Sequence, residues 1–336
     1  MGFAGRGLGV MVASCVVVAS AAIGAGAWSW HEYRAPGPLA VAKTVILPRG
    51  ESTLGVARRL ATTGVIADPW SFIAGVYLSG EAHRLKAGEY RFAAAMSPVT
   101  VAKLIASGKV VEHRLTIPEG LTSAAIVALV NAAPALRGKI PKVPPDGSLL
   151  PNTYFFIRGA KRQALLRRMH HAMTKLVATI WAGRAPGLSL STSAEAVTLA
   201  SIIEKETAQA NERAQIAGVY LNRLKRGMKL EADPTVLYAV TDHGRKPLGR
   251  PLDHADLSTP SPYNTYLHKG LPPGPIANPG PASLLAAVHP EATDDLYFVS
   301  DGNGAHHFAR TLEQQDRNIM ALRRIDASKV AAAAAP

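Results

Sequence analysis

Two carboxylates, Glu204 and Glu206, lie in an apolar stretch where charge has no evident structural role. Burial in such a setting raises the pKa of a carboxyl group, so that the group can stay protonated near neutral pH. A protonated carboxyl group can deliver a proton to a departing oxygen, which is the task of a general acid in glycosidic cleavage. The alternative is a solvated helix end at which both side chains face water.

A helix is predicted to carry this stretch, and its start is at Thr192. Thr192 precedes a glutamate by three residues, the spacing of a capping box. Val197 and Ala200 then recur with Glu204 at helical spacing, which puts Glu204 on a small, apolar face. Residues two apart on a helix do not face each other, so Glu204 and Glu206 cannot form a catalytic pair with each other. At most one of them is the acid, and periodicity does not choose between them.

The motifs after this helix resemble those of a known protein family. They occupy, in order, residues 211–213, 219–224, 227–230, 233–238, 259–266, 270–280, 289–290, 296–299 and 302–308. Together they resemble the YceG-like family of endolytic murein transglycosylases, and the resemblance extends from about residue 47 to residue 318.

The resemblance implies a reaction and a catalytic residue. In that family one catalytic glutamate lies in the Glu-Lys-Glu segment, and the resemblance assigns the role to Glu204, the first of the two. It implies that the O6 hydroxyl of N-acetylmuramic acid attacks its own C1, so that the bond to N-acetylglucosamine breaks without water and leaves a 1,6-anhydro ring. One residue can protonate the leaving oxygen and then accept the hydroxyl proton, so no second carboxylate is needed. An intramolecular nucleophile also has a high effective concentration.

The same motifs supply hydrogen-bonding side chains suited to a sugar cleft. These are Asn222, Asp233, Thr235, Tyr238, Tyr263, Asn264, Thr265 and His306. Each also has a structural interpretation; Asp233 before Pro234, for example, is typical of a helix start with the aspartate as cap. Asn152 departs from the family, in which an aspartate more often stands, and its effect on activity stays open.

No metal or cofactor is predicted. The histidines lack the spacing of a zinc site, and the chain has a single cysteine. Neither a serine nucleophile elbow nor a Gly-rich phosphate loop is present in the sequence. Two alternatives to the transglycosylase remain. A hydrolytic muramidase would need a second carboxylate and yield reducing ends, whereas a non-catalytic wall-binding scaffold would tolerate loss of Glu204.

Residues 8–30 are predicted to form one transmembrane helix. They carry no charge, and crossing the hydrocarbon core needs roughly 20 residues. Trp28 and Trp30 stand where an aromatic belt would lie. A cleaved signal peptide is the alternative, because residues 25–27 offer a small-residue cleavage site. The arginine in the flank at residues 1–7 favours a cytoplasmic amino end, which would place the bulk of the chain in the periplasm, anchored in the inner membrane.

The basic charge indicates anionic partners. A formal net charge of +13 would suggest nucleic acid for a cytosolic protein, but export excludes that partner. Lipid headgroups and the carboxylates of wall peptides are the anions that an exported domain meets. The resemblance implies that peptidoglycan strands are the substrate and that peptidoglycan synthases are candidate protein partners. The only cysteine, Cys15, lies in the predicted span, so no disulfide can form within the chain.

The 336 residues have room for two domains. After a linker at residues 31–44, residues 45–112 are predicted to form two helices on a short sheet. This unit resembles the LysM-like domain that precedes the catalytic domain in the family and binds the glycan backbone. A spacer without sugar affinity is the alternative. Residues 113–325 are then the catalytic domain, and residues 326–336 are predicted to be disordered.

Strands and helices do not alternate regularly in the catalytic region, which favours an α+β fold over a doubly wound sheet. Long helices are predicted at residues 161–182 and 194–227, and a loop-rich stretch heavy in Pro and Gly follows. Short strands are predicted at residues 115–117, 154–157, 296–299 and 307–309.

Overall fold

The chain forms two compact units in a computed structural model that describes residues 4–333. The first unit comprises residues 1–113 and 155–159, and the second comprises residues 114–154 and 160–336. Residues 1–3 of the predicted cytoplasmic flank and residues 334–336 of the predicted tail lie outside the described residues.

The first unit joins a long apolar helix to a small α/β arrangement. Its elements are α1 (Ala4–Arg34), β1 (Lys43–Leu47), α2 (Thr53–Thr62), α3 (Pro69–Leu78), a 3-10 turn (Ala82–Arg84), β2 (Gly88–Phe92) and α4 (Pro98–Ser107). Within α1, Met11–Arg34 is long and apolar enough to cross a membrane. The helix ends inside the segment predicted as linker, so the linker is shorter than expected.

The core of the first unit lies between its sheet and its helices. β1 and β2 pair antiparallel, with Val45 opposite Tyr90. Phe72 of α3 is fully buried in the same cluster. Ser52 caps α2, and Asp68 caps α3 through a hydrogen bond from the Ser71 amide at 2.6 Å. The short sheet predicted for residues 45–112 is therefore present, but it is packed with three α-helices, α2, α3 and α4, and not with the two predicted from the sequence.

Gly75 allows α3 to approach the end of α1. A Cβ at Gly75 would overlap the ring of Tyr33, which is 1% exposed. We expect Gly75→Ala to destabilise the chain by about 1–3 kcal/mol, measured by urea unfolding of the full chain, because a packed core does not accept the added methyl group. Gly183→Ala is the matched control, since its Cβ would lie at ordinary contact distances of 3.8 Å and 3.9 Å from the carbonyl oxygens of Ile180 and Thr179. That change should be neutral or stabilise by up to about 1 kcal/mol.

The second unit is helical with two short sheets, which confirms the α+β prediction. Its elements are β3 (Glu112–Thr116, which begins before the unit boundary), α5 (Ser123–Ala132), β4 (Thr153–Ile157, of which residues 155–157 belong to the first unit), α6 (Arg162–Ala182), α7 (Ser193–Glu206), α8 (Arg213–Lys225), α9 (Asp233–Val240), a 3-10 turn (Asp256–Ser258), α10 (Pro281–Val288), β5 (Tyr297–Ser300), β6 (His306–Ala309) and α11 (Leu312–Ala333). β3 pairs with β4, and β5 with β6. The helix α11 covers most of the tail for which disorder is predicted.

α7 lies at the centre of the second core. Its residues from Ala196 to Ile203 are all buried. The predicted capping box is confirmed, because Thr192 accepts a hydrogen bond from the Glu195 amide at 3.2 Å and Glu195 accepts one from the Thr192 amide at 3.1 Å. On the side of α7 that faces the 270–280 loop, the Ser201 hydroxyl accepts a hydrogen bond from the Ile276 amide at 3.0 Å. A rigid helix therefore positions the Glu-Lys-Glu segment.

The single long helix predicted for residues 194–227 is wrong, since α7 and α8 are separate. Thr207 leaves the helical region with φ −137° and ψ 139°. Its hydroxyl accepts a hydrogen bond from the Gln209 amide at 2.9 Å and donates one to Glu212 at 3.1 Å. These local bonds satisfy groups that a continuous helix would otherwise pair, so the chain turns after Glu206.

Candidate functional site

Glu206, the last residue of α7, is a half-buried carboxylate with a hydrogen-bond partner in α8. The Tyr220 hydroxyl donates a hydrogen bond to it. Burial raises the pKa of Glu206 to about 7; the Tyr220 bond lowers it, the charge of Asp233 raises it, and Arg223 lowers it. Such a group is partly protonated near neutral pH and can both give and accept a proton. Glu206 thus has the property required of a general acid, and the assignment of the catalytic role to Glu204 stays a prediction.

The start of α9 brings Asp233 towards Glu206. The hydroxyls of Thr235 and Thr265 lie 2.9 Å apart, and Thr265 accepts the Ala232 amide at 2.9 Å. Both threonines are buried, so they fix the start of α9 to the loop after it. Asp233 is the first helical residue and not the cap, and its carboxylate accepts the Tyr266 hydroxyl at 2.6 Å.

Asn264 organises this loop from inside. Its side-chain amide donates to the carbonyls of Leu257 at 3.0 Å and Thr259 at 2.9 Å, and its side-chain oxygen accepts the Tyr266 amide at 2.9 Å. Asn264 is fully buried. It therefore shapes the loop that carries Tyr263 and Tyr266, and its polar groups are used within the protein.

Glu204 lies beside a second carboxylate, Glu119, that the sequence analysis does not single out. Glu204 accepts the Gly280 amide at 2.9 Å, and a Cβ at Gly280 would overlap the Glu119 carboxyl group. The pKa of Glu119 is raised by partial burial of the Glu119 carboxyl group and by the negative charge of Glu204, while Arg213 lowers it. The Pro-Glu-Gly turn at Gly120, with φ +73°, is the sequence signal that could have found Glu119.

Tyr238 and Tyr263 are brought together in an aromatic cluster. The Tyr238 ring lies 4.8 Å from the His243 ring at an interplanar angle of 18°, and 4.9 Å from the Tyr263 ring. The Tyr238 hydroxyl donates to Asp146 at 2.6 Å, and Asp146 also accepts the Ser123 amide at 2.5 Å. The segment at Asp146 thus holds both α5 and the aromatic cluster. His243 also belongs to the aromatic cluster, which its residue type alone does not predict.

Two neighbouring cavities adjoin these groups. The smaller has a volume of about 230 Å³ and is lined by Gly120, Lys205 and Tyr238 among others. The larger has a volume of about 710 Å³, and Tyr238 lines it as well. A Cβ at Gly120 would lie 3.5 Å from Cγ of Glu204. The smaller cavity therefore lies near the Glu204 side chain, which does not line it, and reaches Tyr238 of the aromatic cluster.

The side chains of Asn222 and His306 form polar contacts within the protein. The Asn222 amide donates to the carbonyls of Thr293 at 2.7 Å and Asp295 at 3.1 Å, and Asn222 lines a separate cavity of about 740 Å³. Among the described residues, the walls of that cavity include neither Glu204 nor Glu206. His306 Nδ1 lies 2.7 Å from Glu212, which ties β6 to the turn after α7. Their roles as sugar ligands stay predictions.

Comparisons with known proteins identify the family of this chain. A model of the YceG-like family matches residues 45–321. The endolytic murein transglycosylase of Bacillus subtilis strain 168 is 47% identical over 121 residues, which are 36% of this chain and 32% of that protein. The endolytic murein transglycosylases of Streptococcus pneumoniae strains D39 and R6 are 28% identical over 322 residues, covering 82% of this chain and 57% of theirs. The chain therefore spans less than two thirds of the length of these curated relatives.

A solved structure supports the same relationship. The crystal structure of a YceG-like protein from Listeria monocytogenes is similar to this chain, with a TM-score of 0.53 and 31% sequence identity. The similarity covers 82% of this chain and 98% of that chain.

Proposed function

Because the chain belongs to the YceG-like family, we propose that it is a lytic transglycosylase of peptidoglycan. It cleaves the bond between N-acetylmuramic acid and N-acetylglucosamine within nascent strands and thereby ends their growth. The observation that carries the proposal is the half-buried carboxyl group of Glu206, which accepts the Tyr220 hydroxyl and whose pKa burial raises to about 7. The names of the relatives from B. subtilis and S. pneumoniae supply murein as the substrate.

Glu206 performs two proton transfers in this reaction. Protonated Glu206 gives its proton to the glycosidic oxygen as the bond between that oxygen and C1 of the muramoyl residue breaks. The resulting carboxylate then accepts the proton of the O6 hydroxyl as O6 bonds to C1, which closes the 1,6-anhydro ring. The acid is thereby regenerated and no water is consumed. A pKa near 7 suits both steps, because neither protonation state is strongly disfavoured at neutral pH.

Glu204, to which the family resemblance assigns the catalytic role, is the competing acid. Glu119 lies next to it beside Gly280. Two carboxylates are what a hydrolytic muramidase requires, one as acid and one as base or nucleophile. The pair at Gly280 therefore favours the muramidase as the second candidate function.

The first unit anchors the enzyme and contacts the glycan. α1 spans the inner membrane with its amino end in the cytoplasm, and the rest of the first unit and the second unit lie in the periplasm. The order β1, α2, α3, β2 supports a LysM-like unit that binds the glycan backbone. Because β1 begins at Lys43, shortly after the helix ends at Arg34, cleavage takes place close to the membrane.

Product analysis tests the reaction. The full chain in detergent is incubated with un-crosslinked glycan strands in H₂¹⁸O, and the products are identified by mass spectrometry. We expect internal cuts with 1,6-anhydromuramoyl ends and no ¹⁸O. Reducing ends that contain ¹⁸O would establish the muramidase instead. Intact strands would favour a non-catalytic wall-binding scaffold.

The pH dependence of cleavage reports on Glu206. Tyr220→Phe removes a hydrogen bond that lowers the pKa of Glu206, so that pKa rises. Since the acid must be protonated, the rate falls as pH rises through this pKa, and the variant should shift the fall to higher pH. The measurement is kcat/KM between about pH 5 and 9. Tyr154→Phe, which removes a buried hydroxyl bonded to the Leu150 carbonyl at 2.7 Å, should leave the profile unchanged.

A further inference from the structure

The larger cavity beside the aromatic cluster has the composition of a binding site for an anion with an apolar part. Its volume is about 710 Å³, within the range of roughly 300–1,000 Å³ that small-molecule sites occupy. Its walls include Lys142, Asp146, Tyr238, His243, Arg245 and Tyr263. The walls of the cavity thus combine aromatic rings with two cationic side chains.

A strained turn presents part of this wall. Asp242 and His243 have φ of +53° and +59°, a region that side chains other than glycine rarely adopt, and Gly244 follows at +71°. The turn is held by hydrogen bonds from the His243 amide to the Tyr238 carbonyl at 2.8 Å and from the Gly244 amide to the Thr241 hydroxyl at 3.1 Å. It places the His243 ring against Tyr238 and brings Arg245 to the cavity. Strain of this kind is typical of functional sites.

The charges of the cavity favour an acidic ligand. Both oxygens of Asp146 are already used, one by the Ser123 amide and one by the Tyr238 hydroxyl. Arg245 is exposed and lies 3.5 Å from Asp242, a surface pair of little strength. Lys142 is exposed as well. The two cations are therefore available to carboxylates of a ligand.

We propose that this cavity binds the stem peptide of the strand being cleaved. The inference rests on the proposed function. Each muramoyl residue carries a short peptide through its lactyl group, and this peptide bears free carboxylates. A strand at Glu204 and Glu206 must direct that peptide to one side. Lys205, which stands between these glutamates in the sequence, lines the smaller cavity together with Tyr238, and Tyr238 also lines the larger one. Lys142 and Arg245 bind the peptide carboxylates, and its aliphatic part packs on the aromatic rings.

Paired substrates test the assignment. Cleavage is measured with glycan strands that carry stem peptides and with the same strands after an amidase has removed them. Wild type should have the lower KM for peptide-bearing strands. In the full chain, the double variant Lys142→Ala and Arg245→Ala should raise that KM at least about tenfold, with kcat and the KM for bare strands unchanged. Lys139→Ala, an exposed cation outside the cavity wall, should change neither value.

Two results would overturn the proposal. Equal KM values of wild type for both substrates would show that the peptide is not bound, and an equal rise in both KM values in the double variant would make the cavity a glycan subsite. Binding of a synthetic stem pentapeptide to the full chain, measured by calorimetry, separates this inference from the proposed function. Binding that the double variant or a C-terminal amide weakens would support the peptide site even if no strand is cleaved. An unchanged affinity would refute it.

Discussion

Glu206→Gln is expected to slow strand cleavage by roughly 10²–10⁴-fold while the fold stays intact. Glutamine keeps the size of the side chain, and its oxygen can still accept the Tyr220 hydroxyl, but the amide can neither give nor accept the proton. The measurement is the initial rate of cleavage of un-crosslinked strands at pH 7. A melting temperature equal to that of wild type shows that the loss is chemical.

Glu204→Gln is the companion variant that decides between the two glutamates. Its amide oxygen can still accept the Gly280 amide, so we expect a rate change below about tenfold if Glu206 is the acid. Glu195→Gln, in the first turn of the same helix, controls for the loss of a negative charge. If instead Glu204→Gln abolished cleavage while Glu206→Gln retained it, the catalytic role would belong to Glu204.

The sequence predicts the helix that carries Glu204 and Glu206 but not the surroundings of either side chain. Local signals define α7, because the capping box and the apolar spacing act within a few residues. Periodicity shows only that Glu204 and Glu206 point apart. The pKa of Glu206 is raised mainly by burial, and Tyr220 of α8 and Asp233 of α9 then shift it further. No spacing rule contains that information.

Contacts between distant parts of the chain also explain why the sequence does not reveal the surroundings of some other site residues and misses others. The Pro-Glu-Gly turn that carries Glu119 is visible in the sequence, but its approach to Gly280 is a tertiary contact. Asn222 and His306 have side chains suited to sugars, yet residue type does not reveal that their polar atoms hold Thr293 and Glu212. The turn after Glu206 escapes prediction because Thr207 competes for backbone groups that a longer helix would use.

Gly147→Ala is expected to destabilise the second unit by about 2–5 kcal/mol, the largest stability effect of a single methyl group considered for this chain. Gly147 has φ +76°, which costs any other L-residue energy. Its added Cβ would also lie 2.5 Å from Cγ of Pro275 and 2.8 Å from a methyl of Val197 in α7. The measurement is urea unfolding of the full chain, followed by far-UV circular dichroism.

Gly138→Ala separates the cost of the left-handed backbone conformation from the cost of the close contacts made by the added Cβ. Gly138 has φ +83°, but no atom lies within 4 Å of the position of its Cβ, so only the backbone term of about 1–2 kcal/mol is expected. An excess cost at Gly147 then measures the close approach of the Asp146 turn to α7 and Pro275. Equal costs at the two glycines would mean that Pro275 moves aside. In that case the Asp146 carboxylate, which holds Tyr238 and the start of α5, would not depend on this packing.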